Sequence, residues 1–326
     1  MQRRVFLGAL AAGAVALATK RGSAATAATA SRLRSTTRDE RGVTLFLELD
    51  HAPFPSGGAG YRDNTVIVFV PHHVRIAPGE RVSAVVHFHG HNSMAERAMQ
   101  AHELREQLFD SKQNAILVVP QGPVMSPDSS CGKLDAPGGL SRMLTDVLTT
   151  LQSQEAVSAL GASAIRAGAR IGTVCLSAHS GGYHAAACCV RVGGVEINEV
   201  YLFDALYADA DAFRDWVVSG KGRSIRSRHK LVSYYGVGTT EAQSLELLAA
   251  LQKAGVSCAY ERVEGTLSRQ EITREEAIFI RTGLPHGAIT HELNALRDCL
   301  YASGLTRRLR TAWFDAKGGA RRLEKR

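Results

Sequence analysis

The sequence has no internal repeat, no long linker rich in proline or serine, and no abrupt change of composition along its 326 residues. These absences argue against a repeat protein or a string of modules joined by flexible segments. Hydrophobic residues make up 45% of the chain, enough to bury a large core. We therefore predict one domain at 40–303, preceded by a short linker at 31–39.

Acidic residues are missing from the first thirty positions, which carry four basic ones. The last twenty residues, Arg307 to Arg326, have a surplus of six positive charges. Because the whole chain carries a net charge of +8, the residues between these two basic ends carry a net charge of −2. A nearly neutral body argues against nucleic-acid binding, and we expect no nucleic-acid partner. Residues 304–326 are predicted to form a basic tail.

No uncharged run near the amino terminus reaches the length of about 20 residues that a membrane span requires. The run from Val5 to Thr19 is rich in alanine and glycine, and small residues with Ala-x-Ala spacing follow it. Residues 1–30 are therefore predicted to be a cleaved signal peptide, with no stable membrane insertion afterwards. The pair Arg3-Arg4 before Val-Phe-Leu resembles a twin-arginine export signal, which implies a periplasmic or extracellular protein.

Cysteine is scarce, with six residues that form no evident disulfide framework. Cys175, Cys188 and Cys189 lie in apolar or alanine-rich segments and are predicted to be core residues. The other three cysteines, Cys131, Cys258 and Cys299, are free to form disulfides, and the sequence leaves their pairing open.

Short apolar runs alternate with helical patterns from the third run onward, which predicts a mostly parallel sheet covered on both faces by helices. Eight strands are predicted, at 43–49, 65–70, 83–89, 115–120, 171–176, 199–203, 230–235 and 256–263. Helices are predicted at 94–109, 138–160, 181–192, 209–218, 241–253 and 289–300. Loops at the carboxyl ends of such strands usually build the functional site.

The segment Ala178-His179-Ser180-Gly181-Gly182 follows the fifth predicted strand and opens a predicted helix. A serine on so sharp a turn needs small neighbours, because its backbone is strained and side chains beside it would clash. Taken alone, the segment fits a nucleophilic serine and a purely structural turn about equally.

The order of three motifs resembles the α/β-hydrolase superfamily over nearly the whole chain after the signal. The serine follows strand five, HFHGHN (87–92) follows strand three, and LPHGAITHE (284–292) follows strand eight. The resemblance implies an α/β-hydrolase-like fold and a serine hydrolase that cleaves esters or amides through an acyl-enzyme.

The resemblance also implies the site residues. Ser180 is the nucleophile and His286 the base, with His291 as a competitor; histidine suits proton transfer because its ordinary pKa lies near neutrality. The acid is Asp204, after strand six, or Glu241, after strand seven. The oxyanion would be bound by backbone N–H groups at Gly181 and at Gly90 or His91.

The substrate is expected to be a small-molecule or polymer ester or amide, bound in an open cleft without a cofactor. Four polar residues near the predicted site are candidates for contacting it: Asn92, Asp128, Tyr183 and Tyr207.

Two other functions compete with the serine hydrolase. His87, His89 and His91 alternate along one segment, a spacing that a metal-dependent hydrolase could use. Alternatively, the fold has lost its chemistry and serves as a binding module in the cell envelope.

Overall fold

The computed structural model describes residues 30–57 and 60–308. The predicted signal peptide and most of the predicted basic tail lie outside these residues. Ten strands form one sheet: β1 Arg32–Arg38, β2 Gly42–Glu48, β3 Thr65–Pro71, β4 Arg81–Phe88, β5 Ala115–Pro120, β6 Arg170–His179, β7 Ile197–Phe203, β8 Lys230–Tyr235, β9 Cys258–Glu261 and β10 Ala277–Arg281.

The strand order is β1-β2-β3-β5-β4-β6-β7-β8-β10-β9. β1, β2 and β3 pair antiparallel, and β3 also runs antiparallel to β5. From β5 to β9 every neighbouring pair is parallel. The predicted mostly parallel sheet of an α/β fold is confirmed, but it has ten strands rather than eight.

The first additional strand, β1, corrects the predicted linker at 31–39. Its sequence RLRSTTR shows no apolar alternation because six of its seven residues are exposed at the sheet edge. The strand forms through backbone pairing with β2, from Arg32 opposite Glu48 to Arg38 opposite Val43. The ordered fold therefore begins before residue 40.

The second additional strand, β10, has four apolar residues followed by Arg281, a signal too short to stand out. It inserts between β8 and β9, which pair with it on either side. The segment predicted as the last strand is β9, at the edge, and LPHGAITHE follows β10 instead.

Helices cover both faces of the sheet. Their bounds are α1 Ala95–Ala101, α2 Leu104–Ser111, α3 Gly139–Leu151, α4 Gln154–Leu160, α5 Tyr183–Val192, α6 Ala210–Ser219, α7 Thr239–Lys253, α8 Arg269–Arg274 and α9 Ala295–Tyr301. One core cluster includes residues of α3 to α7, and a second, on the other face, includes residues of α1, α2, α8 and α9. Within the described residues no helix is both long and apolar enough to cross a membrane.

Three predicted helices are shorter than expected because the backbone interrupts them. Glu103 adopts φ 48° between α1 and α2. Ser153 caps a new helix, α4, by accepting a hydrogen bond from Ala156 N. Asn294, at φ 57°, precedes α9 and delays its start, so residues 289–293 form turns.

The described part of the predicted tail packs on the body. Asn114 N donates to Thr306 O at 2.7 Å, Arg308 N donates to Lys112 O at 2.8 Å, and Leu305 is buried. The body therefore extends beyond residue 303.

Candidate active site

Ser180 lies at the sharp turn between β6 and α5, on a short 3₁₀ turn spanning Ser180–Gly182. Its φ is 52°, a left-handed conformation that a residue with a Cβ seldom adopts. A Cβ on Gly182 would collide with the carbonyl oxygen of Phe88. The turn therefore places a serine at the carboxyl end of a central strand and requires glycine behind it.

Asp204 and His286 form a hydrogen-bonded pair. Asp204 follows β7, His286 follows β10, and Nδ1 of the imidazole lies 2.6 Å from Oδ2 of the carboxylate. Because an ionised carboxylate only accepts, Nδ1 carries the hydrogen of a neutral His286 and Nε2 presents a lone pair. This is the arrangement in which an acid fixes the tautomer of a general base.

The other oxygen of Asp204 is also occupied. Its Oδ1 accepts a hydrogen bond from Thr240 Oγ1 and another from Gly236 N, the latter at 3.3 Å. Burial alone would raise the pKa of the Asp204 carboxyl, but the hydrogen bonds from His286, Thr240 and Gly236 outweigh it and lower the pKa below the ordinary 3.8. Asp204 is therefore a carboxylate at neutral pH.

His286 is accessible, with 44% of its side chain exposed. Within residues 30–57 and 60–308, no hydrogen bond joins its imidazole to the Ser180 hydroxyl. Such links are often long in unliganded enzymes and tighten when substrate binds.

The two competing residues have other neighbours. Glu241 Oε1 accepts a hydrogen bond at 2.8 Å from Nε of Arg281, so its charge is already paired on the surface of α7. The ring of His291 lies 6.1 Å from that of His102. The structure brings Asp204 to His286 and gives Glu241 a different partner.

His179, directly before the serine, is a site residue that sequence reasoning missed. Its ring lies 4.6 Å from that of His286, and its Nε2 donates to the His286 carbonyl oxygen at 3.0 Å. Burial lowers the pKa of His179 to about 4, so it is neutral. The only available signal was its position beside the serine.

The predicted oxyanion residues surround Ser180. A Cβ on Gly90 would lie 2.6 Å from Ser180 Cβ, and a Cβ on Gly181 would overlap the His91 ring. The Gly90 backbone therefore lies so close to Ser180 that a residue with a side chain could not occupy position 90 without a shift of the loop.

His89 holds this loop. Its Nε2 accepts from Gly122 N at 3.0 Å, so its Nδ1 carries the hydrogen and donates to Gly90 O at 2.9 Å. The carbonyl of Gly90 thus points toward His89, and the N–H of the same peptide unit, at His91, points the opposite way.

The three alternating histidines do not converge on a metal site. His87 Nδ1 pairs with Ser177 Oγ, His89 contacts Gly90 and Gly122, and His91 Nε2 lies 2.7 Å from Ser129 Oγ. Across the described ranges, these imidazoles are not among the side chains whose ligand atoms cluster closely enough to share an ion.

The four candidate substrate residues differ in availability. Asp128 is held by the Ser130 hydroxyl at 2.7 Å and the Tyr61 hydroxyl at 3.0 Å. The rings of Tyr183 and Tyr207 lie 6.2 Å apart, and burial raises the pKa of both phenols. Asn92 is exposed, with its backbone bound to Ser126 O.

No family model and no curated protein matches the chain. Among solved structures it resembles a mutant feruloyl esterase module from Clostridium thermocellum in complex with sinapinate, with 10% identity, a TM-score of 0.49, and coverage of 86% of this chain and 96% of that one. An acetyl xylan esterase from Aspergillus awamori has 13% identity, a TM-score of 0.45, and coverage of 73% and 94%. Thermogutta terrifontis esterase 2 has 12% identity, a TM-score of 0.42, and coverage of 79% and 95%.

Proposed function

We propose that this chain is an exported serine hydrolase that cleaves an ester bond, or an amide bond, through an acyl-enzyme. Ser180 is the nucleophile, His286 the general base and acid, and Asp204 the residue that orients the imidazole. One observation carries the proposal: a hydrogen-bonded Asp204–His286 pair and a serine with left-handed backbone stand at the carboxyl ends of strands in the same sheet.

In the acylation step, Ser180 Oγ attacks the carbonyl carbon while its proton passes to His286 Nε2. The tetrahedral intermediate collapses when the bond to the leaving group breaks and His286 returns that proton to the departing oxygen or nitrogen. Water then repeats the sequence on the acyl-enzyme and releases the acid. Asp204 remains ionised and stabilises the imidazolium that forms at each step.

The negative oxygen of the intermediate is bound by the backbone N–H groups of Gly181 and His91. The first belongs to the peptide directly after the nucleophile, and the second is oriented by the hydrogen bond between His89 and Gly90 O. Donors fixed in place before the reaction need no reorganisation, which is why each typically contributes about 100-fold or more in rate.

A small pocket beside these donors supports a short acyl group as the substrate's acid part. It is partly open to solvent, has a volume of about 30 Å³, and is lined by Gly90 and Gly181 together with apolar and polar residues. The apolar ones include Phe88, Leu134 and Ala185, and the polar ones include Asp128, Ser129 and Ser130. A space of this size admits only a few non-hydrogen atoms. The alcohol part would extend from the open side of this pocket toward solvent.

The test is an assay of the purified protein with p-nitrophenyl acetate and p-nitrophenyl decanoate. We expect hydrolysis of the acetate, at least tenfold lower kcat/KM for the decanoate, and loss of both activities in Ser180→Ala with an unchanged circular-dichroism spectrum. Equal hydrolysis by wild type and Ser180→Ala would overturn the mechanism. Preference for the decanoate would overturn the acyl-group assignment alone.

A further inference from the structure

A second cluster of reactive side chains lies where the polar loop after β5 meets α5. Cys131 stands at the start of the 3₁₀ turn Gly132–Asp135, in the polar loop after β5, while His184 and Cys188 lie one helical turn apart on α5. The ligand atoms of these three side chains all lie within 4.8 Å of one another, and both cysteines are buried. None of the three takes part in the proposed reaction.

The imidazole of His184 is oriented as a ligand. Its Nδ1 lies 2.7 Å from Asp209 Oδ2, so Nδ1 carries the hydrogen and donates to the carboxylate. Nε2 therefore presents a lone pair, 3.6 Å from Cys188 Sγ. Histidines that bind metal ions usually donate their second ring N–H to a carboxylate in this way, which fixes the tautomer and strengthens the ligand.

The distances within the cluster approach those of a tetrahedral zinc site. With Zn–S of about 2.3 Å and Zn–N of about 2.0–2.1 Å, the sulfur-to-nitrogen edge is about 3.5–3.6 Å and the sulfur-to-sulfur edge about 3.8 Å. The observed separations are 3.6 Å from Cys188 Sγ to His184 Nε2 and 3.0 Å from Cys188 Sγ to Cys131 Sγ. The sulfurs must separate by about 0.8 Å, which a small side-chain rotation supplies.

A candidate for the fourth ligand and an entry path both lie beside the cluster. Asp135 Oδ1 lies 3.6 Å from Cys188 Sγ, close to a tetrahedral sulfur-to-oxygen edge. Its carboxylate lies outside the group of ligand atoms that are all within 4.8 Å of one another, so Asp135 must move toward the ion to bind it. Cys131, Asp135 and His184 line an open groove that also contains Tyr61 and Asp128. An ion can therefore reach Cys131 and His184 from solvent.

The main competitor is a disulfide between Cys131 and Cys188, which export to an oxidising compartment would favour. Forming it requires the sulfurs to approach by about 1 Å, because a disulfide bond is about 2.05 Å long. A disulfide gives no role to the oriented lone pair of His184 or to its carboxylate partner. Those two features favour the metal.

We propose that Cys131 Sγ, His184 Nε2 and Cys188 Sγ bind a thiophilic divalent cation of the zinc type, with Asp135 as the nearest fourth ligand. Binding releases the two thiol protons to solvent, and the resulting thiolates neutralise the ion's charge. The ion would tie the polar loop to the helix that begins at the candidate nucleophile. The proposal does not depend on the proposed hydrolase activity.

The test uses the reduced wild-type protein, freed of metal and titrated with Co²⁺ and Zn²⁺ without any substrate. We expect one Co²⁺ per chain, thiolate-to-cobalt absorption in the near ultraviolet, tetrahedral bands in the visible, and displacement by Zn²⁺ with a rise in Tm. Cys131→Ser, Cys188→Ser and His184→Gln should each weaken Co²⁺ binding at least tenfold. Cys258→Ser, outside the cluster, should bind like wild type.

Absence of thiolate-to-cobalt absorption in folded, reduced wild type would overturn the proposal, and this result does not depend on any variant folding. A Cys131–Cys188 disulfide that remains after expression and is not prevented by Zn²⁺ in the medium would also overturn it, in favour of the covalent link. Intact-mass analysis without reductant distinguishes these results, because a disulfide lowers the mass by about 2 Da.

Discussion

At the scale of single residues, two members of the candidate site have a left-handed backbone conformation. Ser180 and Asp204 have φ values of 52° and 45°, and each directly follows a central strand. A non-glycine residue in this region costs about 1–3 kcal/mol and persists where the surrounding structure imposes it. In both residues this conformation directs the side chain out of the sheet, toward the edge where His286 lies.

The acid assignment gives a direct comparison of two substitutions. Asp204→Asn should lower kcat/KM by about 10³-fold or more, because an amide no longer holds His286 in the tautomer that accepts a proton at Nε2. Glu241→Gln should change kcat/KM less than about threefold, because it removes only an ion pair on the surface of α7. Steady-state hydrolysis of p-nitrophenyl acetate measures both, and a larger loss in Glu241→Gln would contradict the assignment.

Gly90→Ala tests the close approach of the oxyanion loop. The added Cβ would lie 2.6 Å from Ser180 Cβ, so the loop must shift and displace the His91 N–H. We expect kcat to fall by about 100-fold, the effect of losing one oxyanion donor. Gly283→Ala is the matched control, since nothing lies within 4 Å of its added Cβ, and it should retain wild-type kcat.

At the scale of elements, a buried ion pair joins the middle of the sheet to the segment after α9. Lys230 Nζ lies 3.8 Å from Glu199 Oε2, and the two side chains are 0% and 1% exposed. Lys230 also donates to Ala302 O at 2.8 Å, and Glu199 Oε1 accepts from Gly304 N at 2.6 Å. These contacts anchor the start of the predicted basic tail.

Removing one partner of this pair should be strongly destabilising. Lys230→Met leaves the Glu199 carboxylate buried without its cation, which typically costs about 3–5 kcal/mol in the free energy of unfolding. Urea denaturation followed by fluorescence measures the change. Adding Glu199→Gln to Lys230→Met should recover part of the loss; a single variant as stable as wild type would contradict this account of the anchor.

Comparison of the predicted and observed strands and helices shows where sequence patterns are sufficient to predict secondary structure. All eight predicted strands exist. Seven of them, β2 to β8, lie inside the sheet, where buried strands read as continuous runs of apolar residues, and the eighth, β9, lies at the edge. β1 was missed because it pairs through its backbone while its side chains face solvent, and β10 because its run is so short. Helix interruptions at Glu103 and Asn294 depend on left-handed backbone at non-glycine residues, which local propensity does not specify.

At the scale of the whole molecule, three buried histidines make stability depend on pH. Burial lowers the pKa of His73 to about 4, that of His102 to about 3 and that of His179 to about 4. In the unfolded chain each returns to its ordinary value near 6.5. Between these values the unfolded state binds more protons than the folded state, so acid favours unfolding.

The free energy of unfolding should therefore be highest above pH 6.5 and fall as the pH drops from 6.5 toward 4. Each of the three groups contributes up to about 1.4 kcal/mol per pH unit. Urea denaturation at half-unit intervals gives the slope. His73→Gln should reduce that slope, and a flat profile over this range would show that these histidines are not buried in neutral form.

Some residues of the candidate site could be predicted from the sequence, and others could not. The order of motifs along the chain was enough to select Ser180 and His286 as candidates, because strand ends in such a sheet meet at one edge. It left the acid open between Asp204 and Glu241. The supporting contacts from His179, Thr240 and Gly236 were not predictable, since each depends on groups from separate elements meeting in space. The metal-binding cluster was missed for the same reason: Cys131 and Cys188 are 57 positions apart in sequence.

The central claim is that Ser180 is an activated nucleophile, and intact-mass analysis after treatment with a fluorophosphonate tests it most directly. We predict one adduct per chain, located at Ser180 by peptide mapping, absent in Ser180→Ala and formed far more slowly in His286→Ala. A folded wild-type protein that forms no adduct, or forms it at another residue, would contradict the claim.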